Sequence, residues 1–282
     1  MELYDTQVQT TASLMLPWQE VLVLPIGDVH MGAECDEDKL KRHIEWGVEH
    51  GAYFVGMGEY IDVASPSNRR ALRSIQLYDS VQAALEESVQ RSVDKFLALT
   101  KGTRWLGLLE GHHFYEFADG TTSDTRIARA LGAPYLGTAA FGRLHFAQGS
   151  HTITATLWCH HGAGGGSRMS SPLNKLETLM AYFDADVYLI GHHHKKVAAP
   201  IQQLYMTAKR PHHLAHRTKI IACTGGWLRG YTEGSQEGGR PRGGYVERAM
   251  LAPTALGGIA LWLRPIRVGP NSVGRLDMNV SL

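Results

Sequence analysis

The sequence predicts a mixed α/β fold built in layers, on three observations. Short apolar runs that read as buried strands alternate with stretches of helical period over residues 21–194. Beyond residue 196 the pattern turns to closely spaced β segments with few helices. No linker and no repeat of fixed period interrupts the 282 residues, so one domain spanning 1–282 is expected.

The elements follow in order. VLVLPIG (21–27) is a fully apolar strand that runs into DVHMG. Residues 36–50 carry Leu40, Ile44 and Val48 four apart, with Asp36 as N-cap and Gly51 just beyond, which predicts an amphipathic helix. AYFVGMG (52–58) is a second buried strand running into EYID, and SPSNRRALRS (65–74) reads as a loop. A long helix is expected over 79–100, with Val81, Ala84, Leu85, Val89, Val93, Phe96 and Leu97 on its apolar face and Gly102 as its stop. WLGLLEG (105–111) is the third strand, followed by HHFYE and a short helix over 123–131 capped by Ser123. Period-two alternation around a Gly-Ser turn predicts a hairpin over 142–162. A helix over 172–183 and a buried strand, DVYLIGHHH (186–194), complete the alternating part. Residues 225–244, rich in glycine and carrying Arg229, Arg240 and Arg242, read as a long mobile loop.

Composition sets mild limits. Hydrophobic residues at 44% and charged residues at 20% are the balance of a soluble globular protein. Lys plus Arg (28) nearly equals Asp plus Glu (27), so no overall field demands nucleic acid or an anionic membrane. Cys35, Cys159 and Cys223 are scattered and odd in number, which speaks for a reducing compartment rather than a disulfide scaffold. No apolar run approaches ~18 residues and no basic leader opens the chain, so a cytoplasmic protein with no membrane span is expected. Fifteen histidines are the lopsided figure, and histidine is the residue of metal and acid–base work.

The polar groups gather where apolar strands end. The first strand ends in Asp28 and His30, the second in Glu59 and Asp62, the third in His112 and His113. The hairpin ends in His160 and His161, and the last of the alternating strands in His192, His193 and His194. Carboxyl ends of strands in open α/β sheets converge on one crevice, where ligands bind. Carboxylates and neutral imidazoles without a thiolate suit Mn, Fe, Zn and ions of similar hardness. One catalytic ion takes about three protein ligands; the larger set here suffices for two ions sharing a carboxylate. Such pairs, roughly 3.5–4 Å apart, clamp the attacking and leaving oxygens of a displacement at phosphorus.

The ordered series GDVH, GEYID, GHHF, CHHG and GHHH resembles the five-motif signature of the calcineurin-like metallophosphoesterases: D-x-H, G-D-x-x-D, G-N-H-[ED], a His before Gly, and G-H-x-H. The resemblance covers residues 21–194, and its specificity lies in five motifs in order, each after a strand. It implies an α/β four-layer αββα sandwich, two mixed β-sheets packed face to face with helices outside. It implies two divalent ions (Mn, Zn, Fe or Ni), one held by Asp28, His30 and His194, the other by His112, His161 and His192. Glu59 would bridge them beside a bridging hydroxide, His113 would protonate the leaving oxygen, and Asp62 would support the site from behind. Three positions depart from the signature: Glu59 stands for Asp, His112 for Asn, and Phe114 for the acidic residue that orients the catalytic His, leaving Glu116 and Asp119 as candidates for that task.

Blander readings stand beside these. LIGHHHKK alone reads as a solvated basic turn, the metal reading coming from its four companion motifs, and His193, alternating with its neighbours, is expected to point away. His160 remains an alternative ligand to His161, and Cys159 reads as a small core residue. GAGGGS (162–167) is a phosphate cradle or a flexible turn, and the basic stretches 67–73 and 209–219 are solvated faces or grips for phosphates. Trp227, Arg229 and Tyr231 are a base-stacking group or a loop anchor. The implied activity is hydrolysis of a phosphoester. Arginines after residue 65 and the lack of room for a capping domain favour a phosphodiesterase acting on nucleic acid or nucleotides. A phosphomonoesterase is the alternative, and a non-catalytic metal-stabilised binding module the third reading. No G-x-G-x-x-G follows a strand, and neither G-x-x-x-x-G-K-[ST] nor H-E-x-x-H occurs.

Overall fold

A computed structural model of the chain describes residues 10–75, 78–208, 211–237, 239–267 and 274–282. One mixed sheet contains β1 (Thr10–Pro17), β5 (Ala139–Gln148), β6 (His151–His160), β7 (Val187–Ile190), β8 (Lys196–Met206), β9 (Leu214–Gly226) and β12 (Gly257–Gly258). The second contains β2 (Val21–Ile26), β3 (Tyr53–Gly56), β4 (Arg104–Leu108), β13 (Ala260–Ile266) and β14 (Arg275–Ser281). A two-stranded ribbon, β10 (Gln236–Glu237) with β11 (Arg240–Pro241), stands apart. The helices are α1 (Glu37–Glu49), α2 (Pro66–Ser74), α3 (Asp79–Leu99), α4 (Ser123–Ala130), α5 (Ser171–Leu179) and α6 (Tyr245–Arg248).

The first sheet runs β1-β5-β6-β7-β9-β12, with β8 paired antiparallel to β9, and the second runs β14-β13-β2-β3-β4. Within them β6, β7 and β9 are mutually parallel neighbours, as are β2, β3 and β4. Alternation along each strand divides its side chains between two cores. From β2, Val21 and Val23 face the first sheet and pack with Leu157, Leu189 and Ala222, while Leu22, Leu24 and Ile26 face the helices. From β9, Ile220 and Ala222 face inward while Ile221 and Cys223 pack on Leu176 of α5. Leu40, Ile44, Val89, Val93, Phe96 and Ile127 from α1, α3 and α4 cover the outer face of the second sheet. Two sheets face to face with helices on both outer sides make the αββα sandwich that the motifs implied. Among the described residues, no helix is long and apolar enough to cross a membrane.

Val81 and Ala84, expected on the apolar face of α3, are exposed, and four further local expectations need correction. Residues 65–74 form helix α2 rather than a loop, because Ser65 caps it by accepting from Asn68 N and proline suits the first turn. On α1 the face that buries Leu40 and Ile44 continues to Gly47, not to Val48, which is 43% exposed. A helix turns 3.6 residues, so position i+7 stays on the stripe while i+8 leaves it, and a Cβ at Gly47 would lie 2.3 Å from Leu24 Cδ1. The cap of α4 is Thr122, in a reciprocal box with Thr125; Ser123 is buried and its hydroxyl accepts from Tyr115 N. Residues 225–228 are no mobile loop: they end β9 and enter the core, with Trp227 1% exposed.

Candidate metal centre

The five motifs meet at one place because the carboxyl ends of β2, β3 and β4 face those of β6 and β7. Glu59 lies at the middle, 2% exposed, and its two oxygens serve two groups. Oε2 is 2.9 Å from His30 Nε2 and 3.7 Å from His194 Nε2, and Asp28 completes that cluster. Oε1 is 3.1 Å from His161 Nε2, 3.6 Å from His192 Nδ1 and 3.7 Å from His112 Nδ1. Across each group two imidazole nitrogens face each other, His30 Nε2 to His194 Nε2 at 3.1 Å and His112 Nδ1 to His192 Nδ1 at 3.3 Å. All seven residues named for metal binding are therefore brought together, in two sets that share Glu59.

The backbone is bent to allow it. Asp28, His30, Glu59, His192 and His194 all have φ between 49° and 65°, in the left-handed region, and only two other described non-glycine residues share it. Each such residue costs of order 1–3 kcal/mol and persists only where its surroundings over-determine it. Here they do. Asp28 N donates to Gly58 O, Val29 N and His30 N to Glu59 O, and Trp227 N to Asp28 O. His192 N donates to Asp28 Oδ1 at 3.0 Å, joining the first motif to the last. Gly111 lets the third strand end pass: a Cβ there would fall 2.1 Å from Glu59 N.

Protonation at the centre is set by burial and by the Glu59 charge. Burial, and then the charge of Glu59, push the Asp28 carboxyl well above its ordinary range. Burial would raise Glu59 too, but the surrounding imidazoles outweigh it and hold it far below the carboxylate range. His30 is raised to about 10, its burial outweighed by Asp62 and Glu59. Burial brings His112 and His194 down to about 4, helped at His112 by His161 and His192 and opposed at His194 by its contact with Glu59, which keeps their nitrogens neutral and free to ligate. His161 Nδ1 donates to Met57 O at 2.6 Å, so its lone pair is on Nε2, the atom that faces Glu59.

The fit to a metal can be tested on two features. Asp28 Oδ2 is buried with no hydrogen-bond partner, an orphan that a cation would satisfy. Ligands about 2.1 Å from one ion lie about 3.0–3.4 Å apart in octahedral or tetrahedral arrangement. The shorter separations here, 2.9–3.3 Å, match that spacing. Carboxylate and imidazole donors with no thiolate suit a divalent ion of borderline hardness.

Around this core the structure distributes the remaining candidates. His113 Nδ1 donates to Asp62 Oδ1 at 2.7 Å, and Asp62 Oδ2 lies 3.5 Å from His30 Nδ1, so one carboxylate steadies both imidazoles. His113 and His30 in turn hold Asp62 below the usual carboxylate range against the effect of its burial. Asp62 takes the Nδ1–H of His113 because β3 and β4 are neighbours and their ends meet, whereas Asp119 accepts from Thr121 and pairs with Arg126. His160 turns away and accepts from Gly162 N, and His193 belongs to neither cluster.

Lys195 donates to Gly166 O and Arg168 O, and Lys175 to Ala163 O, so these lysines brace the glycine-rich turn. Trp227 packs 5.2 Å from the His43 ring as an anchor, and Arg229 pairs with Asp36 at 3.1 Å. In the stretch 209–219, Lys209 and Arg210 lie outside the described residues, while Arg217 and Lys219 are paired with Asp184. Sequence reasoning missed the part played by Arg69. Its Nη1 donates to the carbonyls of Ala64, His112 and Phe114, and the only signal for it was its place in a basic run.

No protein-family description and no curated protein matches the chain. Among solved structures, it is similar to wild-type Vps29 complexed with Zn²⁺ from Entamoeba histolytica, at 12% identity over 92% of this chain and 99% of that one, with a TM-score of 0.37. It is also similar to a conserved protein from Streptococcus pneumoniae described as a predicted phosphoesterase, at 14% identity over 92% and 98% of the two chains, TM-score 0.30. A third is GAP50, the anchor in the inner membrane complex of Plasmodium, at 10% identity over 92% and 84%, TM-score 0.40.

Proposed function

We propose that the chain is a metal-dependent phosphoesterase that holds two divalent ions around Glu59 and hydrolyses phosphodiesters, with nucleic acid or a nucleotide as substrate. The shared carboxylate carries this reading: each Glu59 oxygen faces its own set of imidazoles. Two ions bound there would supply Lewis acidity and activate a water for in-line attack at phosphorus. The residues would do the rest. His113 donates Nδ1–H to Asp62, which leaves Nε2 to carry the proton that the leaving oxygen takes, a contribution of about 10²–10⁴-fold. Asp62, held ionised by His113 and His30, stays an acceptor for that Nδ1–H. Glu59, buried and held ionised by its imidazoles, keeps its negative charge out of water, where its pull on a cation is strong.

The diester preference rests on two exposed arginines. Arg70 on α2 and Arg168 in the braced turn are exposed and able to meet a phosphate backbone. The chain would act as one domain, and its three free cysteines suit the cytoplasm. The test is to strip the protein with chelator, reload it with Mn²⁺, Zn²⁺ or Ni²⁺, and assay p-nitrophenyl phosphate against bis-p-nitrophenyl phosphate with metal counted per chain. Two ions, preference for the diester, and a Michaelis constant for oligonucleotides that rises with salt are expected. Preference for the monoester would promote the phosphomonoesterase. One ion or none with no turnover would leave a binding module.

A further inference from the structure

Arg69 is turned toward backbone. Its Nη1 donates to Ala64 O at 3.0 Å, to His112 O, and to Phe114 O at 3.4 Å, and its guanidinium carbon lies 3.9 Å above the Phe114 ring. The residue between those two motif carbonyls is His113, whose own carbonyl accepts from Val63 N at 3.3 Å. Three successive carbonyls, of residues 112, 113 and 114, are thus tied to the segment 63–69, which begins one residue after Asp62.

We propose that Arg69 is a positioning residue for His113: it clamps the backbone on both sides of the imidazole, with Phe114 as its platform, so that Nδ1 stays on Asp62. Three carbonyl oxygens aimed at one point repel one another unless a cation with several N–H groups stands there, and the ring face under Arg69 favours the same charge. The consequence for catalysis rests on the phosphoesterase reading above; the consequence for the His113–Asp62 hydrogen bond does not.

The experiment compares wild type with Arg69→Met and Arg69→Lys, each loaded with saturating Zn²⁺. Two diesters separate a proton-transfer role from general damage: diphenyl phosphate, whose phenolate leaves poorly without a proton, and bis-p-nitrophenyl phosphate, whose leaving group needs little help. Methionine fills the volume but donates nothing, so kcat for diphenyl phosphate is expected to fall about 100-fold, with a loss under about fivefold for the nitrophenyl diester. Lysine returns an ammonium to the carbonyls and is expected to recover at least about tenfold of the loss.

The second readout needs no turnover. In ¹⁵N-histidine-labelled protein, the downfield Nδ1–H resonance of His113, identified by its loss in His113→Gln, is expected to vanish in Arg69→Met and return in Arg69→Lys. The Nδ1–H of His161, held by Met57 O, is expected to stay. Equal losses on both diesters, a His113 resonance unchanged in Arg69→Met, or lysine no better than methionine would overturn the assignment. If wild type cleaves neither diester while the resonance still follows residue 69, the phosphodiesterase reading fails and the positioning role stands.

Discussion

Replacing Glu59 by glutamine tests the shared carboxylate. One oxygen is 2.9 Å from His30 and the other 3.1 Å from His161, in separate clusters. An amide keeps one oxygen and turns the other position into a donor, which has no lone pair for an ion. One cluster then keeps a neutral ligand, and the other, if it is the set of His112, His161 and His192, falls from four groups to three. Loss of a partner that only orients a ligand costs about 10–100-fold in metal affinity, so loss of a charged ligand is expected to cost at least about 100-fold at one position, about 2.8 kcal/mol. Isothermal titration of chelator-stripped protein with Zn²⁺, followed by metal analysis after desalting, reads this out. Two ions per wild-type chain and one per Glu59→Gln chain are expected. Two ions on the variant, each bound within about threefold of wild type, would refute the sharing of Glu59.

Two further outcomes follow from the geometry. Gly111→Ala must displace the second or third strand end, since its Cβ would meet Glu59 N at 2.1 Å and Cγ at 2.8 Å; thermal unfolding and metal content should both fall, at an overpacking cost of about 1–3 kcal/mol or more. His43, brought down to about 4 from 6.5 by burial and then by Lys196, refuses a proton that the unfolded chain accepts, so its contribution is complete above pH 6.5 and is lost as pH falls toward 4. Denaturant unfolding at pH 7 and pH 5 should show the drop in stability shrinking by roughly 2 kcal/mol in His43→Gln, whereas an unchanged drop would contradict the assignment.

Much of the fold was legible because it depends on local periodicity. The apolar run of β2 marks a strand buried on both faces, and Asp36 caps α1 as its place before the periodic residues implied. What misled was also local: Ser65 and Pro66 look like a turn until the helix that follows is seen, and Val48 looks apolar enough to be buried until the pitch of α1 carries it outward. The pairing of His113 with Asp62 could not be read at all from the residues that follow His113, because it depends on two strand ends being neighbours in a sheet.

The sequence by itself determined the residue types at the strand ends: Asp28, His30, Glu59, His112, His161, His192 and His194 are the carboxylates and imidazoles that motif order singles out. Only the tertiary structure decided how they are used. It split them into two clusters around Glu59, turned His161 inward and His160 outward, left His161 Nε2 facing Glu59 by holding Nδ1 on Met57 O, and engaged Arg69 with backbone. The reason is distance along the chain. His30 and His194 are 164 positions apart, His161 and Met57 104, His113 and Asp62 51. Residue type and period are properties of neighbours in sequence, whereas the lone pair that meets an ion is set by contacts that exist only once the two sheets have packed.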